Sequence, residues 1–205
     1  MNESHSTHQR SLLGSIRPYL ERAPLGALLL GISSGFPYAM LGATLTTRLA
    51  QDGIDKKSVT AFSLAFLAYN LKFLWAPMVD RLRLPWLGRY GQRRSWLWLA
   101  AAWVAVAVVL LALVDPRAHL LWMAGAAVMV GLAGATFDIV IDAYRIELLE
   151  PRQLGIGSGM SQYGWRLGAV CAGALALLVA GTHGWRTAYL LCALFVLPAV
   201  ITGLW

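Results

Sequence analysis

The chain has 205 residues, is 58% hydrophobic and only 13% charged, and has a mean hydropathy of +0.60. Ordinary soluble domains carry about a quarter charged residues, so the composition excludes a soluble globular domain and points to a polytopic membrane protein. The net charge of +7 is no nucleic-acid footprint, because the basic residues sit mostly between apolar spans, where the positive-inside rule puts them.

Residues 1–23 read as a polar cytoplasmic tail with a mildly amphipathic piece, Leu12–Leu20. They lack the apolar core and small-residue cleavage site of a signal peptide. Transmembrane helices are expected at about 25–45, 59–79, 96–114, 120–143, 154–180 and 185–204, each suited to a hydrocarbon core of roughly 30 Å. The predicted fold is all-α, with six transmembrane helices over residues 24–205. In the first span, Ser33, Ser34, Gly35 and Pro37 mark a candidate break. Such a softened span either lines a substrate path or is a packing kink, and both readings stand.

A polar loop, Arg48–Ser58, leads to the second span, which contains Asn70 and Lys72. Asp80–Ser95 is a basic loop with Arg81, Arg83, Arg89, Arg93 and Arg94. The third span is uncharged, and a turn around Pro116 leads to the fourth. The fourth ends in Thr136–Glu147, TFDIVIDAYRIE. In the fifth, Gly155/Gly159 and Gly164/Gly168 are four apart, the spacing of close helix–helix packing. With the N-terminus inside, ten basic residues fall on the inner side and five on the outer, which favours both ends cytoplasmic.

Asp138, Asp142 and Arg145 fall on one helical face, continued upward by the small residues Ala135 and Gly131. At 1.5 Å per residue, Asp138 lies roughly 10 Å from the inner face, Lys72 roughly 12 Å and Arg166 roughly 16 Å. Ionisable residues inside a membrane are costly and rarely unpaired. Three at one level from three spans favour the polar lining of a cavity over a purely structural ion cluster. Either Lys72 or Arg166 is expected to pair with Asp138. Gln162, with Ser158 and Arg166 on one face of the fifth span, and Asn70 join the candidate pathway. Asp80, Arg81, Arg145 and Glu147 form a candidate gate at the inner edge.

Enzyme chemistry is not expected. Gly31–Gly35 matches G-x-S-x-G only formally, since it lies mid-span without a strand–turn–helix context. The four histidines are scattered, Cys171 and Cys192 lie in apolar runs, and no metal-ligand spacing exists. No metal, cofactor or disulfide is predicted.

Four segments carry a family resemblance: Gly31–Leu45 with its SGFP, Leu71–Arg81 (LKFLWAPMVDR), Asp138–Arg145 (DIVIDAYR) with Glu147-Leu-Leu, and Gly164-Trp-Arg-Leu-Gly168. Together they resemble the major facilitator superfamily, and within it the AmpG-type muropeptide permeases and related acetyl-coenzyme A transporters, over about residues 24–204. The resemblance implies a proton-driven carrier, multi-pass in a bacterial inner membrane, that imports anhydromuropeptides for cell-wall recycling with the proton gradient as its energy source. It matches Asp138 and Asp142 to an acidic pair implicated in transport, Lys72, Asp80 and Arg81 to the helix-two motif, and Arg166 to a helix-five arginine. Trp165 stands where tyrosine is more usual, and the Tyr90–Gln92 stretch is slightly expanded. Such carriers have twelve spans in two halves, so the resemblance implies a truncated or split chain. The expected partners are a muropeptide-like small molecule, membrane lipid, and a missing second six-helix half or a homodimer copy. Two other readings stand: a related carrier for another cargo such as a coenzyme A thioester, and a non-transporting membrane module.

Overall fold

A computed structural model describes residues 16–82 and 91–205. The tail before residue 16 and the expected loop features Arg83, Arg89 and Tyr90 lie outside the described residues. All regular structure among the described residues is helical. Among the described residues, four helices are long and apolar enough to cross a membrane: α1 (Arg22–Gln51), α3 (Gln92–Leu113), α4 (Leu120–Leu148) and α5 (Pro151–Leu204). Between α1 and α3 runs the segmented helix α2 (residues 56–81).

α1 does not break where the sequence suggests. It stays α-helical through Ser33, Ser34, Gly35 and Pro37, and the irregularity comes later as a π turn, Met40–Thr44, with Gly42 at φ −77° and ψ −110°. Gly31 and Gly35 serve packing instead. A Cβ on Gly31 would run into the Ser161 carbonyl, and one on Gly35 into the Trp165 carbonyl. In return, Gly164 lies against the Leu28 carbonyl and Gly168 against that of Ile32. These four glycines let two backbones touch, and α1 with α5 forms the most extensive helix pairing of the fold. Threonines satisfy the carbonyls around the π turn: Thr44 Oγ1 donates to Met40 O (2.8 Å) and Thr46 Oγ1 to Gly42 O (2.9 Å). At the other expected small-residue pair, Gly155/Gly159, an added Cβ would meet nothing within 4 Å among the described residues.

α2 alternates between α and 3₁₀ turns rather than forming one regular span. Its start is capped by the Asp55 carboxylate, which accepts from the Ser58 N–H (2.9 Å). Hydrogen bonding to Ser58 holds that carboxyl below the usual carboxylate range. Only Phe62, Ala65 and Val79 of α2 are buried, chiefly against α4, while Leu64, Phe73 and Leu74 are each more than 60% exposed. A helix packed along one edge has little to regularise it.

α5 covers 54 residues. A straight helix of that length would reach about 80 Å. It turns back at Gly184, whose φ of 82° and ψ of 163° are non-helical and favour glycine. The distal limb (185–204) returns along the proximal limb (151–183), and Cys192 Sγ donates to the Ala172 carbonyl (3.4 Å).

Arg48, which the sequence pattern assigns to a loop, lies within α1. It is helical and only 6% exposed. Its guanidinium donates to the Leu111 and Val114 carbonyls at the end of α3 (2.8 and 2.7 Å) and lies 5.6 Å from the centre of the Tyr189 ring. The C-terminal carbonyls of α3 lack intrahelical partners and carry partial negative charge, so a buried fork of donors suits them. Asp52 stands 3.9 Å away and bonds Arg117 at 3.0 Å. Three chain segments are thereby tied at one end of the bundle.

Candidate functional site

α4 sets Asp138, Asp142 and Arg145 on successive turns, and α2 brings a lysine to them. Close approach of these helices requires small residues. A Cβ on Gly131 would meet the Ala65 carbonyl, and one on Gly134 the Tyr69 hydroxyl. Trp75 Nε1 donates to Thr136 Oγ1 (3.1 Å), which locks the 3₁₀ turn of α2 at the level of the acidic pair.

From that turn Lys72 Nζ ion-pairs with Asp138 Oδ2. It also lies 3.9 Å from Asp142 Oδ2, and Arg145 reaches Asp142 from the other side at 3.3 Å. Ser34 Oγ, on α1, donates to the second oxygen of Asp138. The result is a continuous chain, Ser34–Asp138–Lys72–Asp142–Arg145, in which one ammonium serves two carboxylates. It borders a cavity of about 290 Å³ to which α1 adds Gly31 and α5 adds Ser161, Gln162 and Trp165.

Of the two cations expected near Asp138, Lys72 takes the place. Arg166 is exposed, is not part of the cavity wall, and has no ion-pair partner among the described residues. Trp165, packed on Tyr38 at 5.4 Å, lines the cavity from α5 instead. Gln162 does line the cavity, but Ser158 does not. Asn70 is exposed, and its amide turns back to the Phe66 carbonyl of its own helix (3.5 Å).

A second cluster stands at the end of α4. Arg93 Nη1 bonds Asp80 (2.6 Å) and its Nε bonds Glu147 (2.8 Å), so the first turn of α3 clasps the ends of α2 and α4. Gln92 adds a bond to the Asp80 carbonyl (2.6 Å). Asp80 and Glu147 are thus bridged by Arg93, a cation outside the expected set of gate residues. Arg81 is exposed, with no ion pair among the described residues, and Arg145 belongs to Asp142. Nothing in the spacing of the arginine-rich loop singles out Arg93, because a loop has no periodicity. Ser34 was visible as part of the SGFP stretch, but its bond to Asp138 crosses 104 residues.

The chain is 38% identical over 178 residues to the anhydromuropeptide permease of Escherichia coli (strain K12), covering 86% of this chain and 36% of that protein. It is 34% identical over 175 residues to the putative transporter AmpG 4 of Rickettsia conorii, covering 84% of this chain and 42% of that protein. The chain thus spans about two fifths of the length of these relatives. Apolar helices and permease relatives make it a multi-pass membrane protein of a transporter family rather than of an enzyme family. Residues 25–205 match the family model of the Major Facilitator Superfamily, and the chain belongs to that superfamily.

Proposed function

We propose that this chain supplies the N-terminal half of a proton-coupled carrier that imports anhydromuropeptides across a bacterial inner membrane. In this reading residues 24–205 form six passes, namely α1 to α4 and the two limbs of α5, behind a cytoplasmic tail, 1–23. The substrate follows the E. coli relative's name. A second half, or a second copy, completes the path, because alternating access rocks one repeat against another.

The observation that carries the proposal is the single lysine shared by two carboxylates. A proton taken up by Asp138 neutralises it and releases the Lys72 ammonium, still charged, toward Asp142, 3.9 Å away. Loss of that proton on the inner side restores the first pair. Each state keeps the ammonium partnered, which a membrane interior demands. Rearrangement of such a pair gives a proton leverage over helix positions.

The test is a chimera joining this chain to the remainder of the E. coli relative, reconstituted in liposomes with labelled anhydromuropeptide. Uptake should rise with an inward proton gradient and vanish in Asp138→Asn. Equal uptake with the gradient collapsed would overturn the coupling, and no uptake in either condition would overturn the substrate.

A further inference from the structure

The cavity beside Lys72 and Asp138 measures about 290 Å³, at the small end of pockets for small molecules. A sugar–peptide conjugate exceeds it, so a ligand seated there must extend over the adjoining wall. That wall is aromatic. Trp165 lines the cavity and also packs against Tyr38, with centroids 5.4 Å apart and planes tilted by 56°. Tyr38 in turn meets Phe66 at 4.7 Å and Tyr69 edge-on at 5.7 Å. The four rings come from α1, α2 and α5.

Packing within the described residues leaves the centre of this cluster open. Tyr38 is its hub, touching the other three rings, yet is 41% exposed. Phe36, two residues earlier on the same helix, is fully buried. The cluster therefore holds the Tyr38 ring in place without covering it. An aromatic face is electronegative and its edge electropositive. Polarised C–H bonds on one face of a pyranose ring match such a face, and the fixed ring loses little freedom when it is covered. Charged groups of a peptide, both carboxylate and amine, match Lys72 and the two aspartates instead.

We propose that Tyr38, backed by Trp165, is a stacking subsite for a pyranose ring of the substrate, with the substrate's charged peptide portion held in the Lys72–Asp138–Asp142 cavity. This rests on the sugar–peptide substrate proposed above and assigns its two ends to different walls.

Saturation-transfer NMR on the full chain in lipid nanodiscs detects weak binding and tests the division. The probes are the peptide-free anhydro-disaccharide, the sugar-free stem peptide, and the intact conjugate. Saturation should reach the C–H groups of one sugar face. Tyr38→Leu should weaken the disaccharide about three- to tenfold, as expected for one aromatic contact, and leave the peptide unchanged, while Tyr38→Phe restores the disaccharide. Circular dichroism of each variant checks the fold, and Trp165→Leu provides a second loss at the same wall. Disaccharide binding unaltered in both leucine variants overturns the subsite while leaving the transport reading intact. An equal loss of both probes in Tyr38→Leu also overturns it. A wild-type chain that binds none of the three probes overturns the substrate reading and this inference together.

Discussion

Lys72 and Asp142 stand 3.9 Å apart, although Lys72 is already bonded to Asp138 one turn away on α4. The lysine is thus not a dedicated partner of either carboxylate, and its removal affects both. Lys72→Met should lower the melting temperature in nanodiscs, because one-sided loss of a partly buried ion pair leaves an uncompensated charge. The double variant Lys72→Met/Asp138→Asn should recover part of the loss, with a coupling of about 1–3 kcal/mol. Strictly additive losses would mean that the pair carries no net interaction.

The crossing of α1 and α5 predicts opposite outcomes for glycines of one helix. Gly168→Ala places a methyl group against the Ile32 carbonyl, which is backbone and cannot turn aside. A loss of about 1–3 kcal/mol is expected. Gly159→Ala meets open space, and should be neutral or stabilise by up to about 1 kcal/mol through helix propensity. Thermal unfolding followed by circular dichroism compares them directly. Equal destabilisation at the two positions would contradict the crossing described.

Arg48 should be intolerant even of lysine. A single ammonium cannot reproduce two bonds to carbonyls three residues apart, Leu111 and Val114, beneath the Tyr189 ring. Arg48→Lys is expected to cost about 1–3 kcal/mol, the penalty of a buried acceptor left unmet. Hydrogen exchange should rise at the last turn of α3, while exchange near Asp138 stays as in the wild type. Unchanged exchange at residues 110–114 would remove Arg48 from this role.

Arg93→Gln should loosen the contact among α2, α3 and α4 without unfolding the chain. Both acidic partners are about half exposed, so each bond contributes up to about 1 kcal/mol and weakens with salt. Faster exchange of the amides at the start of α3, together with the same change in wild type at high salt, is the expected signature. A variant whose exchange matched wild type at low salt would show the clasp to be inert.

Much of this arrangement was legible because helices repeat. The spacing of Asp138, Asp142 and Arg145 fixed a common face, and counting residues brought Lys72 to the level of Asp138. Counting gives height along a span but not the neighbours that meet it, so Arg166 qualified by height although Trp165 and Gln162 form that wall. The SGFP stretch misled for a related reason. Glycines and proline weaken an isolated helix, but here Gly31 and Gly35 lie against the α5 backbone, the segment stays α-helical through Pro37, and the irregularity falls at Gly42. Arg48 was unreadable as a buried residue, since its partners are carbonyls 63 and 66 residues away, and carbonyls leave no trace in composition. Arg93 was hidden among neighbours of the same kind.

The π turn of α1 lies between two fixed points. Ser34 is bonded to Asp138 on one side of it, and Arg48 is clamped to α3 on the other. A rod held at both ends resists sliding along its axis. It can bend, and Met40–Thr44 is the stretch whose hydrogen bonds are already re-routed through threonine hydroxyls. A displacement of the Ser34 end relative to the Arg48 end would therefore be taken up, at Gly42, as an angle between the two parts of α1.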